Sequence, residues 1–156
     1  MSSLTTLLNN GTIDSVTNNV FSVNSQENAP TAIAFNNDGT KMFIVGSNGD
    51  DVNEYDLSTG FDVSTAGYTR NFSVRAQESD PAGIAFNGDG TKMFIIGYSG
   101  DDVNEYALTT GFDVSTAGYT RNFSFNSEEN APTAIAFNGD GTKMFIIGNQ
   151  NDNVNE

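Results

Sequence analysis

The side chains of this chain that could do chemistry return at fixed spacing. The acidic pair Asp50-Asp51 comes back as Asp101-Asp102 and, in part, as Asp152-Asn153. Carboxylates next to Asn48 or to exposed carbonyls can hold Ca²⁺, a hard cation that takes about 6–8 oxygen ligands. The full calcium-loop pattern is missing, so turn formation and solvation explain these pairs more simply. Glu54, Glu105 and Glu156 also recur. Acid–base catalysis needs two carboxylates in different environments, and near-identical copies supply equivalent ones. Lys41, Lys92 and Lys143 each follow an Asp-Gly turn. They could form a ring of cations for an anion, but solubility and pairing with the adjacent Asp are the simpler expectation.

Missing residue types narrow the chemistry. With no His and no Cys, a Ser-His-Asp triad, His-ligated zinc, a thiolate site and a disulfide are all ruled out. There are 20 acidic and 6 basic side chains, for a net charge of −14. That charge argues against nucleic acid or an anionic membrane as partner. No apolar run approaches the ~18 residues of a membrane-spanning helix. Met1–Asn10 lacks the basic start and long apolar stretch of a secretion signal. Neither observation points to a compartment.

The recurrence reflects a tandem repeat. Phe21–Asn71 and Phe72–Asn122 are two copies of period 51, identical at 39 of 51 positions, and a third copy covers Phe123–Glu156. Such self-similarity marks an array of supersecondary units. Each copy predicts four strands, which in the first are Thr31–Phe35, Lys41–Gly46, Val52–Leu57 and Tyr68–Val74. Asp-Gly and Asn-Gly supply the tight turns between them. No stretch carries helical periodicity.

Side-chain size then orders the strands. Ala32 and Ala34 share one face of the first strand, Ile33 and Phe35 the other. Small against large suits sheets that converge on an axis. The second strand is apolar on both faces, as in a sheet packed between neighbours, and the fourth alternates like a half-exposed edge. The fold class expected is all-β, a β-propeller of four-stranded antiparallel blades with three blades in the chain. The stretch P-x-A-I-A-F-N-x-D-G-T-K-M-F-I-x-G, followed by D-D-V-N-E-Y-D-L, resembles blades of the NHL, YVTN and SMP-30-like propellers. That resemblance implies a propeller fold. For the SMP-30-like members it also implies calcium-dependent lactonases, with Glu, Asn and Asp converging on the channel. No residue of this chain can be assigned to that set.

Three blades are too few for a ring, since propellers use about 4–8. Residues 17–156 therefore divide into repeats 21–71, 72–122 and 123–156. The segment 17–23 is expected to be an outer strand that completes the last blade of an assembled ring. Leu4–Val16 does not match the equivalent Tyr55–Gly67 connection, so the repeat does not set the path of the N-terminal segment 1–16. Two chains joined head to tail would give a homodimer of six blades. The alternative is a piece of a longer repeat protein.

The first two copies differ at twelve positions, eight of them within residues 24–32 and at 47 and 48. In an up-down blade these two connections lie at the same end. The third copy departs there too, at Asn149, Gln150, Asn151 and Asn153. A diversified binding face and relaxed constraint in exposed loops both account for this. The candidate ligand-binding residues are Asn24, Asn28, Asn48, Arg75, Ser79, Asp80, Tyr98, Ser99, Asn126, Asn130 and Gln150. The candidate metal ligands are Asp50, Asp51, Asp101, Asp102 and Asp152. Arg75 and Tyr98 occur in one copy only, and an exposed Tyr can stack on a sugar or a protein. The sequence reading is a non-enzymatic interaction module for a glycan or protein, needing no cofactor unless Ca²⁺. The alternatives are a calcium-dependent lactonase and a purely architectural repeat.

Overall fold

The computed structural model describes residues 8–9, 12–13, 19–151 and 153–156. Leu8–Asn9 (β1) and Thr12–Ile13 (β2) pair as a short antiparallel hairpin. The first repeat forms Pro30–Phe35 (β3), Lys41–Gly46 (β4), Asp51–Leu57 (β5) and Ala66–Ser73 (β6), a four-stranded antiparallel meander. The second repeats it with Pro81–Phe86 (β7), Lys92–Gly97 (β8), Asp102–Leu108 (β9) and Ala117–Ser124 (β10). The third contributes Pro132–Phe137 (β11), Met144–Gly148 (β12) and Val154–Asn155 (β13), in that order.

The turn after the first strand of each sheet follows from its residues. Gly39 sits at φ +72°, a conformation that L side chains rarely adopt. The Asp38 carboxylate accepts the Thr40 N–H at 3.0 Å and the Thr40 hydroxyl at 2.6 Å. The Phe61 ring lies where a Cβ on Gly39 would be, 2.4 Å from its ideal position. Phe61 thus ties the long third connection to the first turn. In that connection Asp62 accepts the Ser64 N–H and caps a short 3-10 turn, Val63–Thr65.

Sheets stack face to face, with β7 touching both β3 and β11. One face of the first sheet brings Ala32, Ala34, Phe43 and Val45 against Ile84, Met93 and Ile95 of the second. The small first-strand residues let the innermost strands approach, and the larger ones of the next sheet fill the gap. Ile96, Val103 and Phe94 form the same kind of seam with Ile135, Met144 and Ile146. The core therefore lies between blades, which is why β4 and β8 are apolar on both faces.

The outer strand expected at 17–23 is one that only an assembled ring would complete, and a single chain does not test it. Thr17 and Asn18 lie outside the described residues, and Asn19–Val23 is not a β-strand. A strand needs a hydrogen-bonded neighbour, and among the described residues no strand pairs with this segment. It packs through Phe21 and Val23 onto Met42, Ile44, Tyr55 and Leu57.

Candidate functional site

At one end of each blade two connections meet: residues 24–29 with 47–50, 75–80 with 98–101, and 126–131 with 149–151. A buried carboxylate fastens each pair. Glu78 Oε1 accepts the N–H groups of Asp80 at 2.7 Å and Ser99 at 3.1 Å, and its Oε2 accepts that of Gly100 at 3.1 Å. Glu27 holds Ala29 and Gly49 at 2.7 and 3.0 Å, and Glu129 holds Ala131, Gln150 and Asn151 at 2.9, 3.2 and 3.3 Å. These three carboxylates are 0–1% exposed. Burial pushes the Glu129 carboxyl up, but the backbone N–H groups around it outweigh that and hold it below the usual carboxylate value. The glycines at 46, 97 and 148 leave the room, since a Cβ on any of them would fall 2.4 Å from the glutamate Cδ.

Sequence reasoning missed these glutamates, although a signal was present. Glu27, Glu78 and Glu129 stay constant inside a connection whose neighbouring positions change from copy to copy.

The side chains that vary stand on this pinned platform. Asn24, Asn28, Asn48, Arg75, Ser79, Tyr98, Ser99, Asn126, Asn130 and Gln150 are exposed, and Asp80 is half-buried. Several meet in pairs. Asn48 Nδ2 donates to Asn28 Oδ1 at 2.8 Å, the Ser79 and Ser99 hydroxyls stand 2.8 Å apart, and Arg75 Nη1 donates to Asp50 Oδ2 at 2.9 Å. Asp80 serves through its backbone, its carbonyl accepting the Tyr98 N–H at 3.1 Å.

The proposed metal ligands do not converge. Asp50 and Asp101 take left-handed turn conformations, at φ +55° and +49°. Asp51 Oδ2 accepts the Asn71 amide at 2.6 Å, while Asp102 accepts the amides of Asn104 and Asn122. Asp152 lies outside the described residues. Among the described residues no three His, Cys, Asp or Glu side chains stand close enough to share a metal ion.

The recurrent glutamates of the third strands have a different setting. Glu54 is fully buried and faces Lys41 Nζ at 2.5 Å and Arg70 Nε at 3.9 Å. It also accepts the Val114 N–H of the next blade at 3.0 Å, while Arg70 reaches Asp113 of that blade at 2.7 Å. Lys92 and Arg121 flank Glu105, both at 3.0 Å or less, and Lys143 pairs with Glu156. The lysines thus pair with third-strand glutamates rather than with the turn aspartates expected to hold them. Lys41 also reaches Asp56 at 2.8 Å. Burial of Glu105 raises its carboxyl, but the bonds to Lys92 and Arg121 win and hold it low. A carboxylate held ionised between two cations is arranged to tie the second, third and fourth strands of its own blade together, not as a proton donor.

No family model matches the chain, and no curated protein matches it significantly. Solved structures do. Kuenenia stuttgartiensis hydrazine synthase aligns with TM-score 0.59 at 20% identity, over 78% of this chain and 30% of that one. The β-propeller domain of Myceliophteria thermophila Cps50 (Swd1) gives TM-score 0.59 at 11% identity, over 80% and 38%. The Pseudomonas aeruginosa periplasmic gluconolactonase PpgL gives 0.58 at 15% identity, over 79% and 33%. The chain therefore spans about a third of the length of these structures. The expectation of a non-enzymatic protein does not stand, because neighbours of the same fold are named as enzymes, gluconolactonase among them. The narrower likeness to NHL and SMP-30-like blades rests on the sequence motif alone. What the neighbours share with this chain is the fold: stacked antiparallel sheets of a β-propeller.

Proposed function

We propose that this chain is a propeller interaction module whose loop end binds a partner surface, a protein or a glycan. One observation carries the reading. Most side chains that change between near-identical copies within residues 24–29 and 47–48 and their equivalents are exposed, on loops that buried glutamates pin together. Rigid loops bearing Asn, Ser, Tyr, Arg and Gln combine adaptable hydrogen bonding with an aromatic contact, the composition that binding loops favour. Equivalent platforms side by side suit multivalent binding, in which weak contacts add through effective concentration.

The test is a binding screen of the whole chain against a glycan array and a displayed peptide library. Hits are then repeated with Tyr98→Ala and Ser79→Ala/Ser99→Ala. Loss of binding in these variants, with an unchanged melting curve, supports the reading. Binding that ignores both variants, or silence in both screens, overturns it.

A further inference from the structure

The two ends of the stack are complementary halves of one blade. At the first end, Asn19–Val23 runs along the course of an outer strand that has no inner strands beside it among the described residues. Three contacts establish this, each repeated at an offset of 51 residues. The Phe21 ring meets Tyr55 edge-on at 5.5 Å and 79°, just as Phe72, on the outer strand β6, meets Tyr106 of the next blade at 5.6 Å and 82°. Asn19 Nδ2 donates to Asp62 Oδ1 at 2.7 Å, as Arg70 Nη1 does to Asp113 Oδ1 at 2.7 Å. The Val23 carbonyl accepts the N–H groups of Gln26 and Glu27 at 3.0 and 2.8 Å, as that of Val74 accepts those of Gln77 and Glu78 at 2.9 Å. At the other end, the sheet β11–β12–β13 has inner strands and no outer one among the described residues.

The flanking faces match in the same way. Ala134, Ala136, Phe145, Ile147 and Val154 line an open apolar hollow on the last sheet. They stand two repeats on from Ala32, Ala34, Phe43, Val45 and Val52, which belong to the core between the first two blades. Ile147 is 45% exposed and Val154 68%. The first sheet leaves Ile33, Met42 and Ile44 beside a second hollow, at the positions of Ile84, Met93 and Ile95.

We propose that a second copy of this chain seats its first blade on the last blade of its partner. In doing so it donates Asn19–Val23 as the missing outer strand. The seam that forms is the one the chain already makes internally between its successive blades, so no new complementarity is needed. A second copy is favoured over any other occupant because both surfaces are present in each chain. Such a head-to-tail contact closes into a ring when its rotation allows, and two copies of three blades fall in the usual range of about 4–8. The register follows from β5 and β6, where Glu54 lies opposite Arg70, Asn53 opposite Asn71 and Val52 opposite Phe72. Shifted by the repeat, it sets Glu156 opposite the partner's Asn19, Asn155 opposite the partner's Val20, and Val154 opposite the partner's Phe21.

The absence of cysteine makes the register testable. Val20→Cys and Asn155→Cys are introduced together and singly, and the purified chains are oxidised and sized without reductant. Light scattering of the unmodified chain gives its mass in solution. The expected result is a two-chain mass for the unmodified protein, with disulfide-linked pairs from the double variant only. Ile147→Asp/Val154→Asp then gives single chains with unchanged far-ultraviolet dichroism. A single-chain mass for the unmodified protein, linkage in the single variants to the same extent, or a ladder of ever larger species would each overturn closure by two copies.

Discussion

Asn48 donates to Asn28 across two connections at 2.8 Å, and one repeat later Ser79 and Ser99 occupy the same two positions with hydroxyls 2.8 Å apart. The copies thus differ here as a bonded pair, not as two separate sites. Part of the loop variation is compensation between neighbours, so a single exchange should hurt more than the matched double one. Asn48→Ser alone leaves Asn28 without its partner, whereas Asn28→Ser/Asn48→Ser rebuilds the pair of the second blade. All four side chains are exposed, which puts the coupling near the low end of measured cycles, about 0.5 kcal/mol. Chemical denaturation of the two singles and the double measures it, and additive effects would refute the pairing.

The buried glutamates set a larger scale. Glu78 gathers three backbone N–H groups from two connections with no exposure to water. In Glu78→Gln one oxygen becomes an amide that faces donors, so at least one buried N–H loses its acceptor. Hydrogen bonds to charged groups contribute about 1.5–3 kcal/mol, and the expected loss of stability lies in that range. Hydrogen exchange should report it locally, with faster exchange at Ser99 and Gly100 and little change in β11. Equal acceleration across all three sheets would show that Glu78 does not act on the loop pair.

The blades were legible in the sequence because their causes are local. Lys41–Gly46 was read with the bounds it has in the structure. Asp-Gly turns and the alternation of Ala with Ile and Phe are signals within a few residues. The outer strand was read two residues late, at Tyr68 rather than Ala66, because the 3-10 turn that feeds it is set by Asp62 and not by strand propensity. Glu27, Glu78 and Glu129 were not read as functional, since a carboxylate in a polar loop looks solvated until the hairpin that covers it is placed. Asn19–Val23 carried strand-like residues, but strand formation depends on a neighbour the local sequence cannot supply.

Tyr55 gives the chain an alkaline limit. Burial, then the charges of Tyr68 and Glu27, pushes its phenol up to about 12 from an ordinary value of 10.0. Burial likewise raises Tyr106, ahead of Tyr119, Asp102 and Glu78. A raised folded value means the fold favours the protonated phenol. That stabilisation is fully present below pH 10 and is lost as pH rises through about 12. Absorbance of tyrosinate should therefore show a late fraction, from Tyr55 and Tyr106, that ionises with unfolding. Among the described residues the buried Tyr55 hydroxyl has no hydrogen-bond partner, so Tyr55→Phe should be neutral or stabilising by up to about 1 kcal/mol at neutral pH. It should also shift alkaline unfolding upward. Destabilisation by that variant would mean the hydroxyl has a partner.

Gly90 and Gly141 hold one repeat position and the same φ of +70°, yet their surroundings differ. The Phe112 ring comes within 2.3 Å of where a Cβ on Gly90 would sit, while no described residue lies within 4 Å at Gly141. Phe112 also packs on Phe86 at 5.3 Å and Phe43 at 6.3 Å, so moving it disturbs the seam between two blades. Gly141→Ala should therefore carry only the left-handed backbone cost, about 1–2 kcal/mol. Gly90→Ala carries that cost and must also displace an aromatic side chain whose complete loss from a core is worth about 3–5 kcal/mol. The expected order is a clear loss for Gly90→Ala and a small one for Gly141→Ala, read from the denaturation midpoints of the whole chain. Equal losses would mean that the hollow beside Gly141 is filled in solution, and a partner chain would then be the first place to look for the group that fills it.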